Sequence, residues 1–454
     1  MKKSWSWIWL GIVLAGFTSA TTEIHSLAAA PRQLAQATTA RHEASDASET
    51  LKVLDSLLHD KEYPELERKF GTGAQLPSAE RDYFAGVLAN RKNRSRESAA
   101  LLERTLPLLK DRQRIEACME ALADDYQKLF RYADQARVLA DIQEHYEDQL
   151  DAAGRKSVED DFQLAQLLKT APAQTVNFDG SETLTIRRNR FGLAEVPVTI
   201  GERTEWWIFD TGASTTTITT STAKRLGLEL SKGTAKTQGA TGTDIALRTA
   251  IIPQLSLGKA ELRNVAALVL DDGSLAIPVG EDKPYQIEGI FGFPAMAAFD
   301  SITFFGDDKM VIGGETLAGS ISFPMYLEEN APRILAKVGG RDLLFTLDSG
   351  AAISQFTEKY YKAFPDVFAT GQKASFSFSG AGGSKETKVY TQKTVELGGD
   401  GGSVRLEGVA VMTEPTGNHD LDVHYGNLGQ DLLRKGRNFT LDFQHMRLLT
   451  SPAK

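Results

Sequence analysis

The sequence has almost no cysteine, no long apolar run and no excess of basic residues. Its 454 residues include one cysteine, Cys118, so it forms no intramolecular disulfide and has no cysteine-based zinc or iron–sulfur site. No apolar run approaches the ~20 residues that cross a bilayer as a helix. A net charge of −9 leaves no overall basic footprint for nucleic acid. Hydrophobic cores are therefore expected to stabilise the chain, and Cys118, which falls in a helical pattern, is predicted to be a small core residue.

Several catalytic signatures are absent as well. The sequence contains no G-x-S-x-G nucleophile turn, no H-E-x-x-H zinc motif and no G-x-x-x-x-G-K-[ST] phosphate loop. His419 and His424 stand five residues apart, and two interpretations stay open for them: a two-histidine metal site, or the solvated lip of a cleft. We favour the second interpretation, so neither a metal nor a cofactor is expected.

The first residues are typical of a targeting segment. Two lysines precede a short apolar run, residues 7–17, which small residues follow. This order predicts a secretory signal peptide over residues 1–20, with Ala28–Ala30 as the alternative cleavage region. The protein is then exported, to the periplasm or the medium. It contacts the membrane only if the segment is retained as an anchor.

A predicted linker and a helical domain follow. Residues 21–45 are small and polar, whereas residues 46–172 show the helical spacing of apolar side chains. Glu120–Ile142 resembles a tetratricopeptide hairpin, and Tyr83–Arg104 resembles a weaker copy. We therefore expect an α-helical, tetratricopeptide-like domain. Such stacks commonly offer a surface to a protein partner, and a helical cap packed on the neighbouring domain is the alternative.

The rest of the chain changes to alternating apolar residues and glycine-rich turns, which indicates β-strands. Two of its segments match, each with a strand, a turn and a second strand. The second strands end in Asp210-Thr211-Gly212-Ala213 and in Asp348-Ser349-Gly350-Ala351. The aspartates are 348 − 210 = 138 residues apart. One such tripeptide is a weak signal, whereas two copies with matching flanks indicate a duplicated unit.

The duplication continues beyond the aspartates. Ile287–Gly292 aligns with His424–Gly429, and Ser301–Ile312 aligns without gaps with Asn438–Leu449. The first alignment places an apolar-Gly pair about 80 residues after each aspartate. The two halves of the β-rich region are therefore predicted to be copies of one unit.

This doubled pattern resembles the retroviral-type aspartic proteases, the retropepsins, with both lobes fused in one chain. The resemblance implies a multidomain α+β protein in which the helical domain precedes a mostly β, two-lobed protease fold, with lobe 1 at residues 173–322 and lobe 2 at residues 323–454. It implies an aspartic endopeptidase without a cofactor. Asp210 and Asp348 would be its catalytic pair, sharing a proton and activating a water. Since both lobes lie in one chain, a monomer is expected, acting on an extended polypeptide.

The resemblance also implies supporting roles. Thr211 and Ser349 would brace one lobe against the other, and Gly212 and Gly350 would let the backbone approach the carboxylates. Two glycine-rich hairpin tips about 30 residues after the aspartates are candidate flaps over the substrate, with ordinary β-turns as the alternative. The flap candidates are Gly239, Thr241, Gly242, Gly380 and Gly382.

A non-catalytic protein that keeps the two-lobed fold as a peptide-binding or scaffold module is the alternative function. Both aspartates and their Thr/Ser-Gly partners are present, which argues against it. An asymmetry between the lobes is what favours it: Phe305 stands where the second copy has Asp442.

Overall fold

The computed structural model of the protein describes residues 47–72, 75–279, 282–314, 320–369 and 371–451. The predicted signal peptide and linker lie outside these residues. Nearly all the described residues belong to one compact unit, Lys52–Lys454; of the preceding unit, Met1–Leu51, only residues 47–51 are described. Within the described ranges, no helix is both long and apolar enough to span a membrane.

The N-terminal region is helical, as the periodicity predicts. Cys118 is fully buried in it, which confirms its assignment to the core. Asp111 and Asp151 cap two of the longer helices by accepting hydrogen bonds from backbone N–H groups three residues later. The helices are α1 (residues 47–59), α2 (Tyr63–Gly71), α3 (Ser78–Arg91), α4 (Ser95–Thr105), α5 (Arg112–Lys128), α6 (Tyr132–His145) and α7 (Ala152–Leu168).

Three of the turns between successive helices share one backbone feature. Lys61, Asn93 and Phe130 each have a φ of +58°, and they lie between α1 and α2, α3 and α4, and α5 and α6. A single left-handed residue ends one helix and lets the chain turn back into the next. The helical region is thus a series of hairpins, while its assignment to the tetratricopeptide class stays a prediction.

Lobe 1 is a β-structure with two short helices. In its main sheet, β12 lies between β5 and β6, and it pairs in parallel with β5. Its elements are β1 (Thr175–Asn177), β2 (Ser181–Thr185), β3 (Arg187–Arg188), β4 (Ala194–Ile200), β5 (Arg203–Phe209), β6 (Thr216–Thr219), α8 (Thr220–Arg225), β7 (Ala235–Gln238), β8 (Asp244–Leu257), β9 (Ala260–Leu270), β10 (Ala276–Val279), β11 (Asp282–Gln286), β12 (Gly289–Phe291), α9 (Phe293–Met296), β13 (Ser301–Phe305) and β14 (Lys309–Gly313).

Lobe 2 repeats this arrangement: β22 pairs in parallel with β17 and antiparallel with β18. The end of β17 is buried at five successive positions, which is typical of a strand covered on both faces. The elements are β15 (Ile321–Glu328), β16 (Ala331–Val338), β17 (Arg341–Leu347), β18 (Gln355–Phe356), α10 (Glu358–Ala363), α11 (Pro365–Phe368), β19 (Ala374–Gly380), β20 (Gly383–Gly399), β21 (Gly402–Met412), α12 (His419–Asp422), β22 (Gly426–Leu428), α13 (Gln430–Leu433), β23 (Asn438–Asp442) and β24 (Arg447–Thr450).

One antiparallel sheet joins the lobes, in the strand order β15-β24-β23-β13-β14-β2. At its centre β13 pairs with β23, so that Thr303 lies opposite Thr440 and Phe304 opposite Phe439. The threonine hydroxyls are 2.8 Å apart, and the phenylalanine rings stack with centroids 4.6 Å apart. Thr303 and Thr440 are equivalent in the gapless sequence alignment, so the approximate twofold axis of the duplication passes between them.

A buried junction connects the helical region to lobe 2. Glu328, at the end of β15, accepts a hydrogen bond from the Tyr63 hydroxyl (2.8 Å) and pairs with Lys61 Nζ (2.6 Å). Its other oxygen contacts His424 Nε2 at 2.7 Å and Arg333 Nε at 3.3 Å. Burial alone would raise the pKa of Glu328, but the charge of Lys61, the hydrogen bond with His424 and the charge of Arg333 together hold that pKa well below its usual range. The carboxylate therefore stays ionised between the two regions.

The predicted position of His424 on a solvated lip is wrong. Its side chain is 1% exposed and lies beneath β22 at the Glu328 junction. Burial lowers the pKa of His424 to about 3, and the nearby charge of Arg333 adds to this effect. The imidazole is therefore neutral at physiological pH, and Nε2 donates its proton to the Glu328 carboxylate.

A second contact lies at the other end of the helical region. Helix α7 packs its Leu164 and Leu167 side chains against an apolar cluster of lobe 1 that includes Ile245 on β8. At the edge of this contact Lys156 Nζ pairs with Asp244 Oδ1 at 3.1 Å. The helical region thus contacts both lobes, each at a different element.

Candidate active site

The two aspartates end equivalent strands. Asp210 follows β5, and its backbone N–H donates to the Phe291 carbonyl on β12 at 3.2 Å. Asp348 follows β17, and its N–H donates to the Leu428 carbonyl on β22 at 2.9 Å. Each loop therefore takes its position from a short parallel strand that crosses beside it, and the doubled sequence pattern produces a doubled backbone.

The two carboxyl groups lie against each other's glycine loop. The Gly212 and Gly350 backbone N–H groups each donate to Oδ1 of the aspartate two residues earlier, both at 2.8 Å. A Cβ atom built on Gly212 would lie 2.8 Å from Asp348 Cγ, and one built on Gly350 would lie 2.4 Å from Asp210 Cγ. Any side chain at these positions would push the carboxyls apart, so glycine is required for the close approach of the lobes.

The surroundings of Asp210 change its protonation. Desolvation raises the pKa of Asp210 well above its ordinary value, and repulsion from the Asp348 carboxylate raises it further. Hydrogen bonds from the Gly212 and Gly350 amides oppose this shift without cancelling it. Asp210 therefore retains a proton at pH values where an isolated aspartate would have lost it, and it hydrogen-bonds to Asp348.

Thr211 and Ser349 interlock the lobes beneath the carboxyls, where the resemblance places them. The Thr211 hydroxyl donates to the Leu347 carbonyl (2.8 Å) and accepts from Ser349 N–H (2.9 Å). The Ser349 hydroxyl donates to the Phe209 carbonyl (2.8 Å) and accepts from Thr211 N–H (3.0 Å). Both side chains are at most 1% exposed. Four buried bonds thus fix the distance between the two aspartate loops.

The candidate flaps are the tips of the β7–β8 and β19–β20 hairpins, and the tips touch. The Thr241 hydroxyl lies 3.4 Å from the Gly382 carbonyl, and a Cβ built on Gly380 would lie 2.8 Å from the Ala240 side chain. A Cβ on Gly239 would lie 2.3 Å from the Ala381 carbonyl, and one on Gly242 would lie 2.5 Å from the Gly417 carbonyl. Gly239 and Gly380 therefore allow the two tips to meet, and Gly242 lets the first tip approach the loop before α12.

The tips lie on the same side as the aspartate loops. Ala381, at the second tip, and Ala213, in the Asp210 loop, pack against the same apolar cluster. A cavity of about 510 Å³ lies elsewhere, between the α3–α4 turn and α9, and the aspartates do not line it.

Sequence reasoning missed one group that contacts the pair. The Asn427 side chain, on β22, donates from Nδ2 to Asp348 Oδ2 at 2.7 Å. The alignment of Ile287–Gly292 with His424–Gly429 already contained the signal, because Asn427 is a polar residue where lobe 1 has Ile290. A polar substitution at an otherwise apolar position beside a reactive residue is the pattern that would have revealed it.

A second group that the sequence analysis missed supports the loop that carries Asp348 and Ser349. Gln430, at the start of α13, donates from Nε2 to the Ser349 carbonyl at 2.7 Å, and its Oε1 accepts from Arg188 at 2.9 Å. Arg188 belongs to lobe 1, so this chain of bonds crosses between the lobes. His419 is exposed and His424 is buried, so they do not form a pair, and among the described residues no cluster of three metal-ligating side chains occurs.

The arrangement can perform acid–base chemistry on a water. Two carboxyls in contact, one protonated and one ionised, can accept a proton from a water and donate one to a substrate oxygen at the same time. The pair needs no covalent intermediate for this. The interlock holds both groups in place, since it is built from buried hydroxyls and main-chain atoms.

Comparisons with known proteins agree with this geometry. Residues 196–295 match the family model described as aspartyl protease, and residues 328–437 match the model described as retroviral aspartyl protease. A search of curated proteins found no match. Each matched segment contains one of the two aspartates. Two segments of the chain are therefore similar to aspartyl protease domains, the second to those of the retroviral type.

Proposed function

We propose that the protein is an aspartic endopeptidase that hydrolyses peptide bonds with a water activated between Asp210 and Asp348. The observation that carries the proposal is the contact of the two carboxyls, with a proton retained on Asp210. The family matches support protease activity in general, and the interlocked loops support this particular pair.

The reaction follows from the state of the pair. The ionised carboxyl removes a proton from the water as its oxygen forms a bond to the peptide carbonyl carbon. The protonated carboxyl donates to the carbonyl oxygen, which yields a neutral diol. The proton taken from water is then delivered to the peptide nitrogen. As the C–N bond breaks, one diol hydroxyl returns its proton to the carboxylate that acted as the acid and re-forms the carbonyl, so the products are an amine and a carboxylic acid and the pair again holds one shared proton.

The substrate that fits this site is an extended polypeptide. A chain lying between the flap tips and the aspartates can form main-chain hydrogen bonds to the hairpins on either side. The tips are closed against each other, so they must separate for a polypeptide to enter. We further propose that the enzyme acts as a monomer, because one chain supplies both aspartates, and that the N-terminal segment directs its export.

The helical region admits two roles within this proposal. It can recruit protein substrates, or it can form part of the catalytic unit. The Glu328 junction favours the second role, since removing the helices would leave a buried carboxylate without Lys61 and Tyr63. A chain that begins after residue 170 is therefore expected to lose activity on short peptides as well as on proteins; loss on proteins alone would indicate recruitment.

The test is hydrolysis of an unfolded polypeptide mixture, with products identified by mass spectrometry. Asp210→Asn and Asp348→Asn are each expected to lower kcat/KM about a thousandfold or more with the fold intact, because acid and base are both needed. Asp179→Asn, an exposed aspartate on a loop, is the matched control and is expected to be fully active. Binding of peptides without any hydrolysis by the wild type would establish the scaffold alternative instead.

A further inference from the structure

The two aspartate loops differ at one position of the strand that crosses beside each of them. Ile290 pairs with Ile208 on β5, and Asn427 pairs with Thr346 on β17, in the same parallel register two residues before the aspartate. The isoleucine side chain has no hydrogen-bonding group. The asparagine amide reaches Asp348 Oδ2 at 2.7 Å.

This contact makes the surroundings of the two carboxyls unequal. Asp348 accepts hydrogen bonds at both oxygens, from Gly350 N–H at Oδ1 and from Asn427 at Oδ2. Asp210 accepts from the backbone amides of Gly212 and Gly350, and within the described part of the chain no side-chain amide reaches it. The Asn427 Oδ1 atom is buried without a hydrogen-bond partner, so the bond to Asp348 is the one that orients the amide.

Resting on the proposed function, we propose that Asn427 is a positioning residue that divides the work of the pair, holding Asp348 in the ionised form as the base and leaving Asp210 to carry the proton as the acid. A donor to an ionised carboxylate stabilises that form, and charge-assisted hydrogen bonds are roughly twice as strong as neutral ones. The raised pKa of Asp210 agrees with this division.

Other charged groups near the pair do not account for the asymmetry. Among the described residues, no further side chain donates a hydrogen bond to either carboxyl. The charged side chains on the neighbouring elements have partners of their own: Asp431 on α13 accepts from Ser354, Lys385 on β20 donates to the Thr416 carbonyl, Asp244 on β8 pairs with Lys156, and Glu288 before β12 pairs with Arg225.

The test exchanges the two residues between the lobes. Asn427→Ile removes the donor that stabilises the singly ionised pair, so the acid limb of the kcat/KM profile is expected to move up by about one pH unit. The basic limb should stay in place, because the lost bond exists both before and after the second ionisation. Ile290→Asn adds a donor beside Asp210, so it should lower the basic limb and leave the acid limb unchanged.

The double variant, Ile290→Asn with Asn427→Ile, should return the acid limb to near the wild-type position. Asn427→Ser, which keeps a donor on a shorter side chain, should shift it less than isoleucine does. The mutated amide contacts an aspartate and not the substrate. At pH values below the shifted acid limb, kcat is therefore expected to fall several-fold while KM stays within about twofold. An acid limb unchanged in Asn427→Ile, or a shift of both limbs together, would overturn the proposal.

Two measurements keep the result independent of folding and of the proposed function. Thermal unfolding shows which variants are folded. If Asn427→Ile is not folded, the nearly isosteric Asn427→Leu and the separate Ile290→Asn variant test the role of Asn427 instead. Carbon-13 NMR titration of the aspartate carboxyls reports the first ionisation of the pair without any substrate. If the wild type hydrolyses nothing, the proposed function fails, whereas an unchanged titration in Asn427→Ile rejects the role of Asn427.

Discussion

The two lobes build the same loop around each aspartate but surround it with different neighbours. The parallel strand, the glycine amide and the buried hydroxyl recur in both lobes at nearly equal distances. The side chain beside the carboxyl and the contact with the helical region do not recur. The shared loop structure places two carboxyls together. The different side chain beside each carboxyl and the different helical contact can give the two carboxyls and the two candidate flaps separate roles.

The contacts with the helical region illustrate the difference. On lobe 2 the contact is a buried ionic junction at Glu328, next to the strand that carries Asn427. On lobe 1 it is an apolar contact of α7 beside the flap hairpin, with an ion pair at its exposed edge. The helical region thus contacts lobe 2 at the end of β15 and contacts lobe 1 beside the candidate flap on the β7–β8 hairpin.

The largest effect is expected where the lobes are alike. Thr211→Val and Ser349→Ala each leave a buried carbonyl and a buried N–H without a partner, which costs about 3 kcal/mol of folding free energy. Since the interlock is reciprocal, the two losses should agree within about 1 kcal/mol. Denaturant unfolding of both variants is the measurement. A loss of folding free energy in only one of the two variants would show that the interlock is not symmetric.

The next effect separates the two helical contacts. Lys61→Met removes one partner of the buried Glu328, and we expect a loss of about 2 kcal/mol. Lys156→Met breaks the ion pair of lobe 1, where the lysine side chain is 39% exposed, and should cost less than about 1 kcal/mol. Melting temperatures of the two lysine variants test this, and equal losses would contradict the distinction between a buried junction and an exposed edge.

An effect of comparable size, which is present only at acidic pH, depends on His424 alone. The pKa of His424 is about 3 in the folded protein and near 6.5 in the unfolded chain, so protons bind preferentially to the unfolded state between these values. Stability is therefore complete above pH 6.5 and is lost as the pH falls. From pH 7 to pH 4.5 the wild type should lose about 2–3 kcal/mol more than His424→Gln. The window stops at pH 4.5, below which Glu328 would also titrate; parallel losses in both proteins would exclude His424 as the cause.

The smallest effect concerns the working pH. Ala213 and Ala351 follow the two glycines, where a hydroxyl could donate to the neighbouring aspartate. Without these donors, we expect an optimum in the mildly acidic to near-neutral range. Ala213→Ser and Ala351→Ser should each lower it by about half a pH unit, since a donor stabilises the ionised form. Profiles of kcat/KM test this, and an upward shift in either variant would show that the missing hydroxyl does not set the optimum.

The sequence predicts those parts of the site whose motifs occur in two copies. The Asp-Thr/Ser-Gly loops and the glycine-rich tips are short local patterns, and duplication made them recognisable. The burial of His424 could not be predicted, because its partner Glu328 is 424 − 328 = 96 residues away and a polar loop reveals no such partner. The same holds for Lys61, whose turn in the helical region gives no sign of a contact with lobe 2.

The difference between Phe305 and Asp442, which kept the non-catalytic alternative open, has a local explanation. Asp442 accepts a hydrogen bond from His445 N–H at 2.9 Å in the β23–β24 turn. Phe305 instead ends β13, where Lys309 Nζ lies 5.4 Å from its ring. The two residues shape different hairpin turns, so this asymmetry concerns turn formation and not the reactive pair.

The sheet between the lobes also bears on the order in which parts of the structure can form during synthesis. Strand β2, near residue 181, pairs with β14, and β24, which ends at Thr450, pairs with β15. Pairings between residues so distant in sequence form late and slowly. A chain that has been synthesised only as far as residue 446 lacks β24 and cannot complete this sheet. The sheet that joins the lobes is therefore completed only after both aspartate loops have been synthesised, because β24 begins 447 − 348 = 99 residues after Asp348.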